Sequence, residues 1–249
     1  MDAEVRGRTR KPSPSNIAFL LIHGFCADID EMVSLADFLY DRNIASFSVR
    51  LSGHGTKPED LATKTWKDWY TSAKQGLDFV KSWDKQYTFI SGLSMGALLS
   101  LNLSINEADL AGQILFSPAV KIGGIASKFV PLLKRIIKYR EVDLSYIPEI
   151  YDLPRTKYAR EPLSAIHELL KLADYTRQIL SEVHIPTLII QAGADKTIDP
   201  SSGEYVLDNI ASEDKQLQVI EAAEHVITCH PTRKDAYHHV EKFIQRIIN

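Results

Sequence analysis

The stretch from Tyr87 to Leu103 constrains this chain more than any other. Tyr87-Thr88-Phe89-Ile90-Ser91 is a β-prone, mostly apolar run, Gly92-Leu93-Ser94-Met95-Gly96 follows it, and Ala97 to Leu103 is apolar over a helical length. A strand that passes into a helix through Gly-x-Ser-x-Gly leaves no room for a loop. The two glycines let the strand and helix backbones approach closely. The serine between them must take a strained conformation, with its hydroxyl held out at the carboxyl end of the strand. The first helical turn supplies unpaired N–H groups beside it. The pentapeptide by itself also describes a loop serine between two turn glycines, and the flanking runs decide for the sharp turn.

The same alternation runs through the rest of the chain. Ile17–Ile22 reads as a fully buried strand, and Glu31–Arg42 as a helix with Met32, Leu35, Ala36 and Leu39 on one face. Further strands are expected at 44–49, 112–117, 186–191 and 216–221. Long helices are expected at 66–83 and 232–247. Strands alternating with helices predict a mostly parallel sheet covered on both faces. One stretch breaks the rhythm. Residues 162–183 supply the helix that a crossover between the strands at 112 and 186 needs, so residues 119–161 are extra. They contain an apolar stretch with basic residues interleaved (125–139) and a second apolar segment (144–153). The expected organisation is an N-terminal tail at 1–15, a core made of 16–118 and 162–249, and an inserted cap at 119–161. The insertion leaves the carboxyl end of a strand, where ligand sites of such sheets lie.

Composition excludes several classes. The net charge of −3 gives no support for a nucleic-acid partner. No apolar run is long enough for a membrane span, and residues 1–12 lack a signal-peptide core, so a cytoplasmic protein without stable membrane insertion is expected. The basic cluster Arg6, Arg8, Arg10 and Lys11 reads as a solvated terminus. Two cysteines, Cys26 and Cys229, form neither a disulfide framework nor a zinc pattern. His230, His238 and His239 have no second ligand cluster at zinc spacing, so no metal is expected.

A serine nucleophile needs a base, a group that orients the base, and donors for an oxyanion. Asp195 lies just past the strand at 186–191 and His225 just past the strand at 216–221. Both therefore fall at the sheet edge that carries Ser94. Asp199 competes for the acid role, although it suits a helix cap better. His230 and His184 compete for the base role, the latter from the wrong end of a strand. Ile22-His23-Gly24-Phe25 closes the first strong strand and brings backbone N–H groups beside the serine turn. The expected donors are the amides of Phe25 and Met95, with His23 fixing the loop rather than carrying protons.

Together, Leu21-Ile22-His23-Gly24-Phe25, Leu51-Ser52-Gly53-His54-Gly55, the pentapeptide, Gln191-Ala192-Gly193-Ala194-Asp195 and His225-Val226-Ile227-Thr228 resemble the α/β-hydrolase superfamily, and within it the small bacterial carboxylesterases and monoacylglycerol lipases. The resemblance spans nearly the whole chain beyond residue 15. It implies a mostly parallel central sheet with a small cap, and hydrolysis of small-molecule carboxylic esters without a cofactor, by a monomer or homodimer. It implies Ser94 as nucleophile, His225 as base and Asp195 as its orienting acid. The apolar residues Phe129, Leu132, Leu133, Ile136, Tyr146 and Ile147 are expected to line an acyl pocket in the cap. An acyltransferase, a lysophospholipase, a hydrolase of C–C bonds or an idle ligand-binding relative remain open on the same residues. Cys26 and Cys229 depart from the pattern, and their positions beside the oxyanion and histidine loops hint at thiol sensitivity.

Overall fold

The computed structural model describes residues 5–122 and 130–249. Seven strands form one sheet in the order β1-β3-β2-β4-β5-β8-β9. They are β1 (Gly7–Arg10), β2 (Ile17–Ile22), β3 (Ala45–Val49), β4 (Tyr87–Leu93), β5 (Gly112–Phe116), β8 (Thr187–Ala192) and β9 (Lys215–Ile220). Every neighbouring pair is parallel except β1 with β3. A separate antiparallel ribbon joins β6 (Tyr139–Glu141) to β7 (Arg160–Pro162).

The central strands are apolar on both faces because both faces are covered. Ala18, Leu20, Ile22, Ile90 and Leu115 point to one core cluster. Phe19, Leu21, Phe89, Ile114 and Phe116 point to the other. The first cluster packs under helices α2 (Trp66–Lys81), α3 (Met95–Ser104), α4 (Leu163–Ile179) and α5 (Ser202–Asn209). The second packs under α1 (Val33–Tyr40) and α6 (Arg233–Ile248). Phe19 stacks on Phe89 at 4.9 Å across the adjacent strands β2 and β4. Helix α3 is buried along its whole length, which explains why its sequence is apolar without a polar face.

One expectation changes. Residues 1–15 are not simply a tail, because Gly7–Arg10 adds the antiparallel edge strand β1. Its sequence, Gly-Arg-Thr-Arg, has no apolar member. It is held by its ladder to β3, by the Arg10–Asp37 ion pair at 2.5 Å, and by a glycine whose place is filled by the Phe47 ring. Charged side chains on such an edge are a usual guard against further strand pairing. The apolar stretch with interleaved basic residues at 125–139 is described only from Val130, where one helical turn over 130–133 runs into turns before β6. Residues 125–129 lie outside the described part.

Candidate active site

Ser94 occupies the turn between β4 and α3 with φ 57° and ψ −111°. A β-carbon on Gly92 would come within 2.1 Å of Gly96 O, and one on Gly96 within 2.1 Å of Ile22 O. Only glycine fits either place, and the serine between absorbs the strain. Its amide is fixed by a 2.8 Å bond to Phe116 O.

The loops after β8 and β9 bring the other two groups to it. They are pinned to each other by Gly193 N–H to Ile220 O and Ala194 N–H to Ala223 O, both 3.0 Å. His225 Nε2 lies 2.9 Å from Ser94 Oγ, and His225 Nδ1 lies 2.6 Å from Asp195 Oδ2. The other Asp195 oxygen accepts the amides of Thr197 at 2.8 Å and Ile198 at 3.0 Å. Burial pushes the Asp195 carboxyl up. The His225 hydrogen bond and charge and the two amides outweigh it, and hold the carboxyl below the ordinary range. A carboxylate at Nδ1 places the ring proton there and leaves Nε2 free to accept from the serine hydroxyl.

His23 carries no such role. Its Nε2 accepts the Leu51 amide at 3.2 Å, so Nδ1 bears the proton and donates to Gly24 O at 2.8 Å. Burial lowers its pKa and keeps the ring neutral. In a trans peptide the C=O and N–H point opposite ways. Pulling Gly24 O toward His23 therefore turns the Phe25 N–H to the other side. Neither the Phe25 nor the Met95 amide donates to another group among the described residues. Gly24 lies against the serine turn, since a β-carbon there would be 3.7 Å from Ser94 Cβ.

The rival residues are elsewhere. Asp199 accepts the Ser201 amide at 2.9 Å before α5. His230 pairs with Thr232 Oγ1 at 2.7 Å. His184 is exposed at the opposite end of β8.

Ser94 and His225 open on a cavity of about 540 Å³. Of the six cap residues expected in its wall, Leu133 and Tyr146 line it. Leu132 and Ile136 are 60% and 82% exposed, and Ile147 packs against the second core cluster. The helical turn explains the correction. Val130, Leu133 and Ile137 share its inner side at three-to-four spacing, while 132 and 136 fall on the outer side. Phe129 lies outside the described residues. The apolar wall that sequence reasoning missed comes from α4, where Leu163, Ile166, Leu169 and Leu170 face the cavity. Their helical spacing was readable, but a crossover helix already had a sheet to cover.

Also unforeseen are two ion pairs in the cavity wall, Glu31–Arg155 at 2.7 Å and Glu161–Lys157 at 2.6 Å. Arg140 binds the second Glu161 oxygen. Burial pulls the Lys157 ammonium down, but Glu161 outweighs it and the group stays charged. The partners are distant in sequence or buried only by the fold, so no local pattern announces them. Among the described residues no cluster of His, Cys, Asp and Glu is arranged to hold a metal ion, and no helix is long and apolar enough to cross a membrane.

Comparison with known proteins agrees with the fold. The family model described as "Serine aminopeptidase, S33" matches residues 13–231. The thermostable monoacylglycerol lipase of Bacillus sp. (strain H-257) is 29% identical over 214 residues, covering 85% of this chain and 84% of that one. The carboxylesterase of Bacillus subtilis (strain 168) is 24% identical over 230 residues, covering 92% and 93%. A solved structure from work on LipS and LipT, two metagenome-derived lipolytic enzymes, superposes with a TM-score of 0.88 at 24% identity, covering 97% and 98%.

Proposed function

The chain belongs to the serine aminopeptidase S33 family of α/β hydrolases, and from that premise we propose that it hydrolyses carboxylic esters through an acyl-enzyme on Ser94. It is a hydrolase of the esterase and monoacylglycerol lipase type. The observation that carries the finer reading is the hydrogen-bonded chain Ser94–His225–Asp195 opening on a largely apolar cavity.

In this reading His225 Nε2 takes the Ser94 proton as Oγ attacks the ester carbonyl. The amides of Phe25 and Met95 receive the oxyanion. The imidazolium then protonates the leaving alcohol, and water activated by the same nitrogen releases the acid. Asp195 holds the ring and stabilises its charged form without taking the proton. Residues 119–161 serve as the cap, and with α4 they form the acyl-binding walls. Short- to medium-chain acyl esters and monoacylglycerols suit a cavity of this size and polarity.

Ester rather than peptide cleavage is favoured by the cavity acids. An aminopeptidase needs a carboxylate free to hold a substrate ammonium. Glu31 and Glu161, the two acids in the cavity wall among the described residues, are already neutralised by Arg155, Lys157 and Arg140.

The test is a series of nitrophenyl esters and monoacylglycerols of increasing acyl length, with aminoacyl anilides as controls. Activity is expected to peak at short to medium chains, with Ser94→Ala lowering kcat about 10⁴-fold or more. Ester turnover by Ser94→Ala at the parent rate would refute the assignment.

A further inference from the structure

The loop that carries the Phe25 amide is gripped from outside by four consecutive residues. Gly24 N–H donates to Glu31 Oε2 at 3.0 Å, and Glu31 Oε1 lies 2.7 Å from Arg155 Nη2. Both side chains are buried, at 2% and 6% exposure. Thr156 donates its amide and its hydroxyl to Asp30 Oδ2, each at 2.6 Å. Lys157 Nζ reaches Phe25 O at 3.3 Å, and Tyr158 N–H donates to Cys26 O at 3.0 Å. Residues 155–158 thus form a strap along residues 25–31, reaching from the segment just before β7 to the loop beside Ser94.

We propose that Glu31 and Arg155 are positioning residues for the oxyanion hole, with Glu31 fixing the Gly24 peptide and Arg155 cancelling the charge that this requires. The inference rests on the reading of the Phe25 and Met95 amides as oxyanion donors. The His23 ring orients the Gly24–Phe25 peptide through its carbonyl, and Glu31 orients the preceding peptide through its N–H. With both planes fixed, the Phe25 N–H has one direction left. Oxyanion donors act only when placed where the charge develops, and such placement depends on groups behind them.

Fold stability alone does not account for the pair. A buried ion pair is often matched or exceeded in stability by apolar residues of similar volume. What an apolar pair lacks is an acceptor for the Gly24 amide. A lone carboxylate one residue from the hole would oppose a developing negative charge, and Arg155 removes that opposition. Closeness accounts for the glycine as well, since a β-carbon at 24 would sit 2.9 Å from Glu31 Oε2.

Two double variants separate positioning from packing. Glu31→Leu/Arg155→Met removes acceptor and charges together, whereas Glu31→Gln/Arg155→Met keeps a neutral acceptor. On nitrophenyl butyrate the first is expected to lose about 10- to 100-fold in kcat, with KM within about threefold, approaching the loss of an oxyanion donor. The second is expected within about fivefold of the parent. The inhibition constant of a trifluoromethyl ketone, whose serine adduct carries the oxyanion, should rise in the first variant by the same factor as kcat/KM falls. Equal kcat values for the two double variants, or a first variant within twofold of the parent, would overturn the proposal. Should the first variant not fold, a second variant more than about tenfold below the parent also overturns it. Failure of the serine reading itself shows separately, as parent enzyme that a fluorophosphonate does not label at Ser94.

Discussion

Asp195 gives His225 only one of its two carboxylate oxygens. Oδ2 meets His225 Nδ1 at 2.6 Å, and Oδ1 is taken by the Thr197 and Ile198 amides. Two amide donors accept no substitute for an oxygen at Oδ1. In Asp195→Asn the carboxamide oxygen must therefore stay with the backbone, and its NH₂ must face His225. Nδ1 then has to accept, the ring proton moves to Nε2, and Nε2 can no longer take the Ser94 proton. A loss of about 10³- to 10⁴-fold in kcat is expected with the fold intact, as for a wrong tautomer in other triads. Steady-state kinetics on nitrophenyl butyrate beside a thermal melt check it, and a loss under tenfold would contradict the assigned role.

The serine turn should be intolerant of a single methyl group. A β-carbon at Gly92 meets Gly96 O at 2.1 Å, Gly96 C at 2.2 Å and Ala97 N at 2.5 Å. All three are backbone atoms of a buried helix start, so none can rotate away. Gly92→Ala is expected to destabilise by about 3 kcal/mol, the upper end of ordinary overpacking, and urea unfolding measures it. A midpoint equal to the parent's would show that the turn has slack.

Much of the site could be read from the chain because three of its residues lie just past neighbouring strands of one parallel sheet. Runs such as Thr187–Ala192 are apolar on both faces and end at defined points, so Asp195 and the serine turn could be placed on one edge. Strand β9 is less buried, yet its parallel register to β8 brings His225 to the same place. The Glu31–Arg155 pair was not readable. Glu31 sits in a short 3-10 turn, Ile29–Met32, where an acidic residue looks solvated, and its partner lies across the fold. The outer face of the turn at 130–133 was not readable for a related reason. Leu132 and Ile136 are as apolar as Leu133, and only the three-dimensional direction of the turn separates them. Strand β1 has no apolar pattern in the sequence because an edge strand held by one neighbour needs no apolar face.

The cysteines correct another expectation. Both are buried, Cys26 at 0% and Cys229 at 1% exposure. Burial pushes the Cys229 thiol up to about 12 and raises that of Cys26 as well. The thiolate is the reactive form, so at pH 8 neither group should be ionised or reachable. Native protein is expected to react with a disulfide reagent at least about 100-fold more slowly than denatured protein, with ester hydrolysis unchanged. Absorbance of the released thiolate follows both. Rapid loss of activity with one thiol modified would restore the thiol-sensitive reading.

Acid should weaken the cavity wall through Glu161. Burial raises its carboxyl, but Lys157 and Arg140 outweigh burial and hold it below the ordinary glutamate range. A folded-state pKa below the unfolded value means stability that is fully present above the unfolded value of about 4.3 and is lost as pH falls through the folded one. Glu161→Gln leaves Lys157 nearly buried without its counter-charge. At pH 7 the variant is expected to be about 2 kcal/mol less stable, between the values for exposed and fully buried pairs. The gap should stay constant from pH 7 to about 5 and narrow below about pH 4, where the parent takes up the proton that the variant cannot. Urea unfolding of both proteins across that range reads the difference directly, with the other carboxylates titrating alike in each. A gap that widens as pH falls would reverse the sign and show that Glu161 is held above, not below, its ordinary range.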